Sequence, residues 1–358
     1  MGALAITTRD DRKYTGEVTR GIALGLLAAL LFGASVPVTK VLAGAADPLV
    51  IAGLLYLGAG AVLAAVRTFR PAVEAPLRRE DAPWLAGIVI SGAVLGPALL
   101  VVGLRRMPGV PAALLLNLEA PLTALLAIAI FHEHLSRSAW AAVVLLAAGA
   151  AALAAAPGVL RIDALGGAAL VGACAAWALD TNLTQRLSIR DPVALVRFKV
   201  MSGGACTLTL GLAFGGALPD ERTALTALVV GAIGYGASIV LHVRAMRVLG
   251  AARQSALFAT APFAAALLSV SLLGEKLAAR DAIAAFFMAA GILLLLREKH
   301  AHSHVHEPIE HEHLHVHDEH HRHSHEPGAI EPHSHPHVHD RIQHSHPHAS
   351  DLHHRHRH

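Results

Sequence analysis

Along the first 296 residues, apolar runs of about twenty residues alternate with short breaks marked by proline, glycine or charge. Ten such runs can be drawn, roughly 21–43, 48–66, 84–104, 109–131, 138–156, 164–183, 192–215, 223–243, 251–273 and 279–296. A helix rises about 1.5 Å per residue, so runs of this length cross a hydrocarbon core of ~30 Å. The pattern therefore predicts an all-α polytopic membrane protein of ten transmembrane helices. Breaks such as Asp47-Pro48, Pro157-Gly158 and Pro219-Asp220 are short, and the one longer connection, Arg67 to Pro83, is strongly charged. The first run exceeds a cleavable leader and feeds directly into further spans, so it is read as a retained helix.

The runs also repeat. Phe131-His132-Glu133-His134-Leu135 matches Leu273-Gly274-Glu275-Lys276-Leu277, and Gly149 matches Gly291, both at a spacing of 142 residues. Leu104-Arg105-Arg106-Met107 stands before the fourth run as Met246-Arg247-Val248-Leu249 stands before the ninth, and the segment 32–40 aligns with 177–185. Five spans per copy is an odd number, so the second copy must enter the membrane upside down. Inverted repeats are a transporter architecture, with the site near the midplane between the halves.

With these paired blocks, a proline within the fourth and ninth runs and a Glu-containing end to each, the chain resembles the EamA-type family of the drug/metabolite transporter superfamily. The resemblance implies ten helices, cytoplasmic termini and a central substrate cavity, and it names no substrate. Pro262 lies thirteen residues before Glu275 whereas Pro121 lies twelve before Glu133, so the two copies differ by one residue in register.

Several residues within the runs could carry chemistry. Glu119 is a carboxylate in a lipid-length segment, where acids are costly and usually functional. It shares a helix face with Thr123 at i+4, while Asn117, two residues away, points elsewhere. Asp180 and Asn182 in the sixth run and Lys199 in the seventh are close enough for an Asp180–Lys199 pair. Asn117, Glu119, Thr123, Asp180, Asn182 and Lys199 are the candidates for substrate or proton handling. Pro37, Pro121 and Pro262 are predicted kinks, because each removes a helical hydrogen bond and frees a carbonyl four residues back. Glu133 and Glu275 read as helix-end determinants, His132 and His134 as too divergent to chelate, and His242 as an interfacial residue. Cys174 and Cys206 have no CxxC spacing and read as small packing thiols.

Charge adds direction. With the N-terminus inside, inner segments hold sixteen Lys and Arg and outer ones seven, Lys40 among the latter. The positive-inside rule then puts both termini in the cytoplasm, and a bacterial inner membrane is the expected location. The net charge of +3 is too small to suggest a nucleic-acid partner, and aromatic residues make up only 4% of the chain, which argues against an aromatic cage for quaternary ammonium compounds. No nucleotide-binding loop or catalytic triad is visible, so the chain is not expected to be an enzyme.

From His300 onward, 23 of 59 residues are histidine, with prolines and little apolar content, so the tail is predicted to be disordered. Its H-x-H spacing would gather imidazoles suited to Zn, Ni or Co. The candidate metal ligands are His302, His304, His306, His311, His313, His315, His317, His333, His335, His337 and His339. No cofactor is required by the reading.

The sequence thus divides into a cytoplasmic N-terminal segment (1–20), two five-helix repeats (21–156 and 164–296) and a His-rich cytoplasmic tail (297–358). It reads as a secondary-active carrier that exports a small metabolite by alternating access. The alternatives are a divalent metal efflux carrier with a metal-collecting tail, or a membrane-anchored metal buffer or sensor. The expected partners are the lipid bilayer, a small-molecule substrate, metal ions at the tail and a second copy of the chain in a homodimer.

Overall fold

The computed structural model describes residues 4–69, 75–131, 137–154, 163–187, 190–297, 300–306, 309–315, 333–339 and 342–348. Among the described residues, each of the ten apolar runs is mainly helical. In chain order they are α1 (Leu4–Ala45), α2 (Pro48–Phe69), α3 (Arg79–Arg106), α4 (Gly109–Leu115 and Glu119–Phe131), α5 (Arg137–Ala154), α6 (Ala164–Leu187), α7 (Pro192–Ala213), α8 (Glu221–Leu249), α9 (250–258 and Ala261–Leu273) and α10 (Ala279–Arg297).

Local chemistry sets the starts. Asp47 and Asp191 each precede a proline at the first helical position. Asp47 accepts from the backbone N–H of Leu49 at 2.9 Å, and Asp191 from those of Val193 and Ala194 at 2.9 and 3.1 Å. Proline at N1 gives up a donor that the helix would leave unpaired anyway, and the aspartate satisfies the next ones. Asp220 caps α8 in the same way through Thr223.

Equivalent helices of the two halves pack against each other in opposite directions, as inverted repeats require. Along α2 and α7, Val50 lies by Gly211, Gly53 by Leu208, and Leu57 by Gly204. A Cβ on Gly204 would stand 2.9 Å from the Leu57 backbone nitrogen, so only glycine permits this approach. Between α5 and α10 the contact is reciprocal. A Cβ on Gly149 would meet the Ala284 carbonyl at 3.0 Å, and one on Gly291 would meet the Ala142 carbonyl at the same distance. Helix α1 packs along α8 and α9, as α6 packs along α3 and α4.

The repeat extends to irregularities that no hydropathy pattern shows. A π-helical turn widens α3 at Val89–Leu95 and α8 at Gly231–Ala237, again 142 residues apart. A 3-10 turn at Leu116–Leu118 divides α4, and a turn at 259–260 divides α9. Pro121 and Pro262 therefore lie in the first turn of the second piece of each divided helix, where proline is tolerated; Pro37 lies within α1.

One connection differs from the spacing expected between the eighth and ninth runs. The helical segment Ser238–Phe258 contains the reversal from α8 to α9. Leu249 lies against Gly21, while Gln254 and Ala261 run back along Gly25 and Gly33.

Leucine, valine and phenylalanine side chains such as Leu30, Val41, Val144, Leu267 and Phe286 are exposed on the outer faces. That is unfavourable in water and suited to lipid. In the tail, where disorder is predicted, the described residues form four strands instead: β1 (His300–His306), β2 (Ile309–His315), β3 (His333–His339) and β4 (Ile342–His348). β1 pairs with β4 and β2 with β3, both antiparallel. The alternating H-x-H pattern has the period of a strand, which suits this local pairing.

Candidate functional site

A cavity of about 60 Å³ lies between the two halves. Its walls come from α1 (Phe32), α2 (Tyr56), α4 (Glu119), α6 (Trp177, Asp180), α7 (Lys199), α8 (Tyr235, His242) and α9 (Phe258). A smaller void beside it shares Phe32, Glu119 and Phe258.

The break in α4 places the acid. Glu119 is the first residue after the 3-10 turn, and its carboxylate reaches the cavity wall. Thr123 Oγ1 donates to the Glu119 carbonyl at 2.8 Å, which leaves the carboxylate to the cavity. No ion pair or side-chain hydrogen bond engages that carboxylate among the described residues.

Asp180 and Lys199 meet as the sequence allows, with Nζ 2.5 Å from Oδ2 and both side chains buried. Thr184 donates to the other oxygen, Asp180 Oδ1, at 3.3 Å. Gly92 in the π-turn of α3 makes room for this pair, because a Cβ there would overlap the Asp180 carboxyl.

Gly92 has a second role. In the π-turn the Gly96 N–H bonds to Ser91, and the next residue, Pro97, has no N–H to offer. The Gly92 carbonyl is thereby freed, and it accepts from Tyr56 Oη at 3.0 Å and from Trp177 Nε1 at 3.2 Å. Two cavity-lining rings are fixed by one carbonyl. Phe32 sits among the others, its centroid 5.8 Å from Trp177, 5.5 Å from Tyr235 and 5.3 Å from Phe258.

The remaining candidates fall elsewhere. Asn117 is buried and turned toward α10, its amide 3.5 Å from Met288 Sδ, so it does not line the cavity. Thr123 is buried beneath Glu119. Asn182 donates to the carbonyls of Thr123 and Ala178 and so fastens α6 to α4. Lys40, read as a loop cation, instead reaches the carbonyls of Leu104 and Met107 at 3.2 and 2.5 Å. There it closes the C-terminal end of α3, where a cation suits the exposed carbonyls.

His242 is not interfacial. It is buried in the cavity wall, with Nδ1 3.1 Å from Gln254 Nε2 and its ring edge-on to Phe258 at 4.8 Å. The sequence reading also missed Phe32, Tyr56, Trp177, Tyr235 and Phe258. The glycine-proline pair Gly92…Pro97 was the available signal for two of them.

Glu275 accepts from the backbone N–H groups of Gly109 and Val110, so its role is to end one repeat by capping a helix of the other. Glu133, His132 and His134 lie outside the described residues. Among the described residues no group of three His, Cys, Asp or Glu side chains is arranged to hold a metal ion. Of the tail candidates, His317 lies outside the described residues. The others occupy β1, β2 and β3, where histidine stands opposite histidine in register, for example His302 with His346 and His313 with His335.

A divided, inverted ten-helix bundle with a cavity between its halves is a carrier's architecture, and comparison with known proteins agrees. The sequence matches the EamA-like transporter family over residues 19–155 and again over 164–297. The chain belongs to the EamA-like transporter family. It is 30% identical over 289 residues to a protein of Methanothermobacter thermautotrophicus described as an uncharacterized transporter, covering 75% of this chain and 84% of that one. A solved crystal structure shares the fold with a TM-score of 0.61 at 20% identity, over 77% of this chain and 96% of the other. The chain is accordingly a multi-pass membrane transporter in contact with the bilayer.

Proposed function

We propose that this transporter is a secondary-active exporter of a small metabolite, working by alternating access to the cavity between its halves. The observation that carries the reading is Glu119, an uncompensated carboxylate on the wall of a cavity enclosed by both repeats. A carboxylate in that position can exchange a proton for a solute, and the divided α4 and α9 flanking it provide places where the halves can flex. The Asp180–Lys199 pair serves mainly to hold α6 against α7. The distribution of Lys and Arg supports a bacterial inner-membrane protein with both termini in the cytoplasm.

The test is a solute screen in proteoliposomes with an imposed pH gradient, comparing the wild type with Glu119→Gln. Gradient-driven flux that the substitution abolishes in a folded protein supports the reading. Flux retained by the variant removes Glu119 from the mechanism.

The tail histidines are proposed to bind Zn, Ni or Co, independently of the carrier cycle. Calorimetric titration of the full chain against a form lacking residues 300–358 tests this, and equal binding by both would overturn it.

A further inference from the structure

Aromatic residues are scarce in this chain, fifteen of 358, yet five line one cavity around a single uncompensated acid. We infer that the cavity selects a monovalent organic cation with an apolar body, held by the Glu119 carboxylate against the faces of Phe32, Tyr56, Trp177, Tyr235 and Phe258. This rests on the carrier reading above and names its substrate class.

Three observations converge on a cation. The first is charge. Asp180 and Lys199 neutralise one another at 2.5 Å, so ionised Glu119 leaves the acid–lysine set of the wall one negative charge in excess. Of the other titratable groups facing the cavity, His242 is engaged with Gln254 and Tyr56 with the Gly92 carbonyl, and Tyr235 carries a neutral hydroxyl.

The second is the state of the donors. An anion or a carboxylate-bearing zwitterion needs N–H or O–H groups to receive it. Here Tyr56 Oη and Trp177 Nε1 are both spent on the Gly92 carbonyl and Thr184 Oγ1 on Asp180, while the Lys199 ammonium is paired with Asp180, so that two of its three N–H groups and the Tyr235 hydroxyl are the donors left over. With their polar ends turned away, the Tyr56 and Trp177 rings have π faces left to offer, and π faces attract cations.

The third is preorganisation. Phe32 contacts Trp177, Tyr235 and Phe258, and Tyr56 contacts Tyr235 at 5.5 Å. The rings form one connected wall whose order is set before any solute arrives, so little ordering cost falls on binding. The low aromatic content of the whole chain is thus no argument against an aromatic cation site, because a third of those residues are gathered here.

The inference is tested by binding rather than transport, so that its outcome is separate from that of the carrier reading. In a Trp84→Phe/Trp140→Phe background, Trp177 is the sole tryptophan and reports on the cavity. The purified protein is titrated with benzyltrimethylammonium and with phenylmethanesulfonate, an anion of similar size and shape. We expect the cation to quench Trp177 with at least about tenfold tighter affinity than the anion. Glu119→Gln should erase that preference, and Glu119→Asp, which keeps the charge, should retain it in part. Circular dichroism and a single size-exclusion peak establish that each variant is folded. Equal affinity for the two probes, tighter binding of the anion, no binding of the cation, or an unchanged preference in folded Glu119→Gln would each overturn the assignment. None of these results bears on gradient-driven flux in the solute screen.

Discussion

The Glu275 carboxylate accepts from the Gly109 backbone N–H at 2.6 Å, across a separation of 166 residues. Its second oxygen takes the Val110 N–H at 2.8 Å. The end of the second repeat's α9 is thereby tied to the start of the first repeat's α4, the helix that carries Glu119. Negative charge at a helix N-terminus is favourable, and charge-assisted hydrogen bonds are among the stronger kind. Glu275→Ala should therefore cost about 2 kcal/mol of stability, read as a lowered melting temperature in detergent. Glu275→Gln should fall between the two, and a melting temperature unchanged in both would show the cap to be dispensable.

The buried Asp180–Lys199 pair makes a different kind of prediction. Removing one partner strands a charge in a low-dielectric interior at about 3–5 kcal/mol, whereas removing both is often nearly neutral. Asp180→Asn and Lys199→Met should each reduce the yield of monodisperse protein. The double variant Asp180→Leu/Lys199→Met should recover it. Failure of the double variant to recover would mean that the pair does more than hold α6 to α7.

At the Gly92 carbonyl, two rings share one acceptor. Trp177→Phe leaves Tyr56 in place and should be mild. Combining it with Tyr56→Phe leaves a buried carbonyl without a partner, at about 1–3 kcal/mol. A double variant no less stable than the single ones would show that water or another donor replaces the rings.

Acid should loosen one link outside the membrane-spanning segments. The Asp163 carboxyl is held below its ordinary range first by the Gly166 backbone N–H and then by Arg106, whose guanidinium lies 3.1 Å away. A depressed folded-state value contributes stability that is fully present above the ordinary aspartate range, near pH ~4, and is lost as pH falls through the folded value. Thermal stability of the wild type and Asp163→Asn should therefore differ at pH 6 and converge below pH ~3. A constant difference across that range would assign the loss to packing.

Most of the frame was legible because each of its signals is local. Asp47-Pro48 and Asp191-Pro192 state where helices begin, apolar run length states that they cross lipid, and the 142-residue echo states that the copies are inverted. The Asp180–Lys199 pair could be anticipated because its residues flank one short connection. The aromatic wall could not, since Phe32, Tyr56, Trp177, Tyr235 and Phe258 come from five helices and are ordinary apolar residues on each. The π-turns were also silent, because one extra residue per turn alters hydrogen-bond register without altering hydropathy. Asn117 shows the converse: an isolated polar residue in an apolar run can be turned to a neighbouring methionine and take no part in the cavity.

Glu119 and Ala261 each open the second piece of a divided helix, α4 in the first repeat and α9 in the second, so the repeat sets an acid in one copy against a methyl in the other. In a carrier whose halves were chemically identical, the state open to one side and the state open to the other would be mirror versions of one structure, equal in free energy when empty. Here the first piece of the mirror carries an ionisable group and the second a methyl. In the alternating-access reading proposed above, the two end states are therefore not degenerate, and protonating the Glu119 carboxyl changes the gap between them. Glu119 is thus one contributor to the resting bias of the empty carrier.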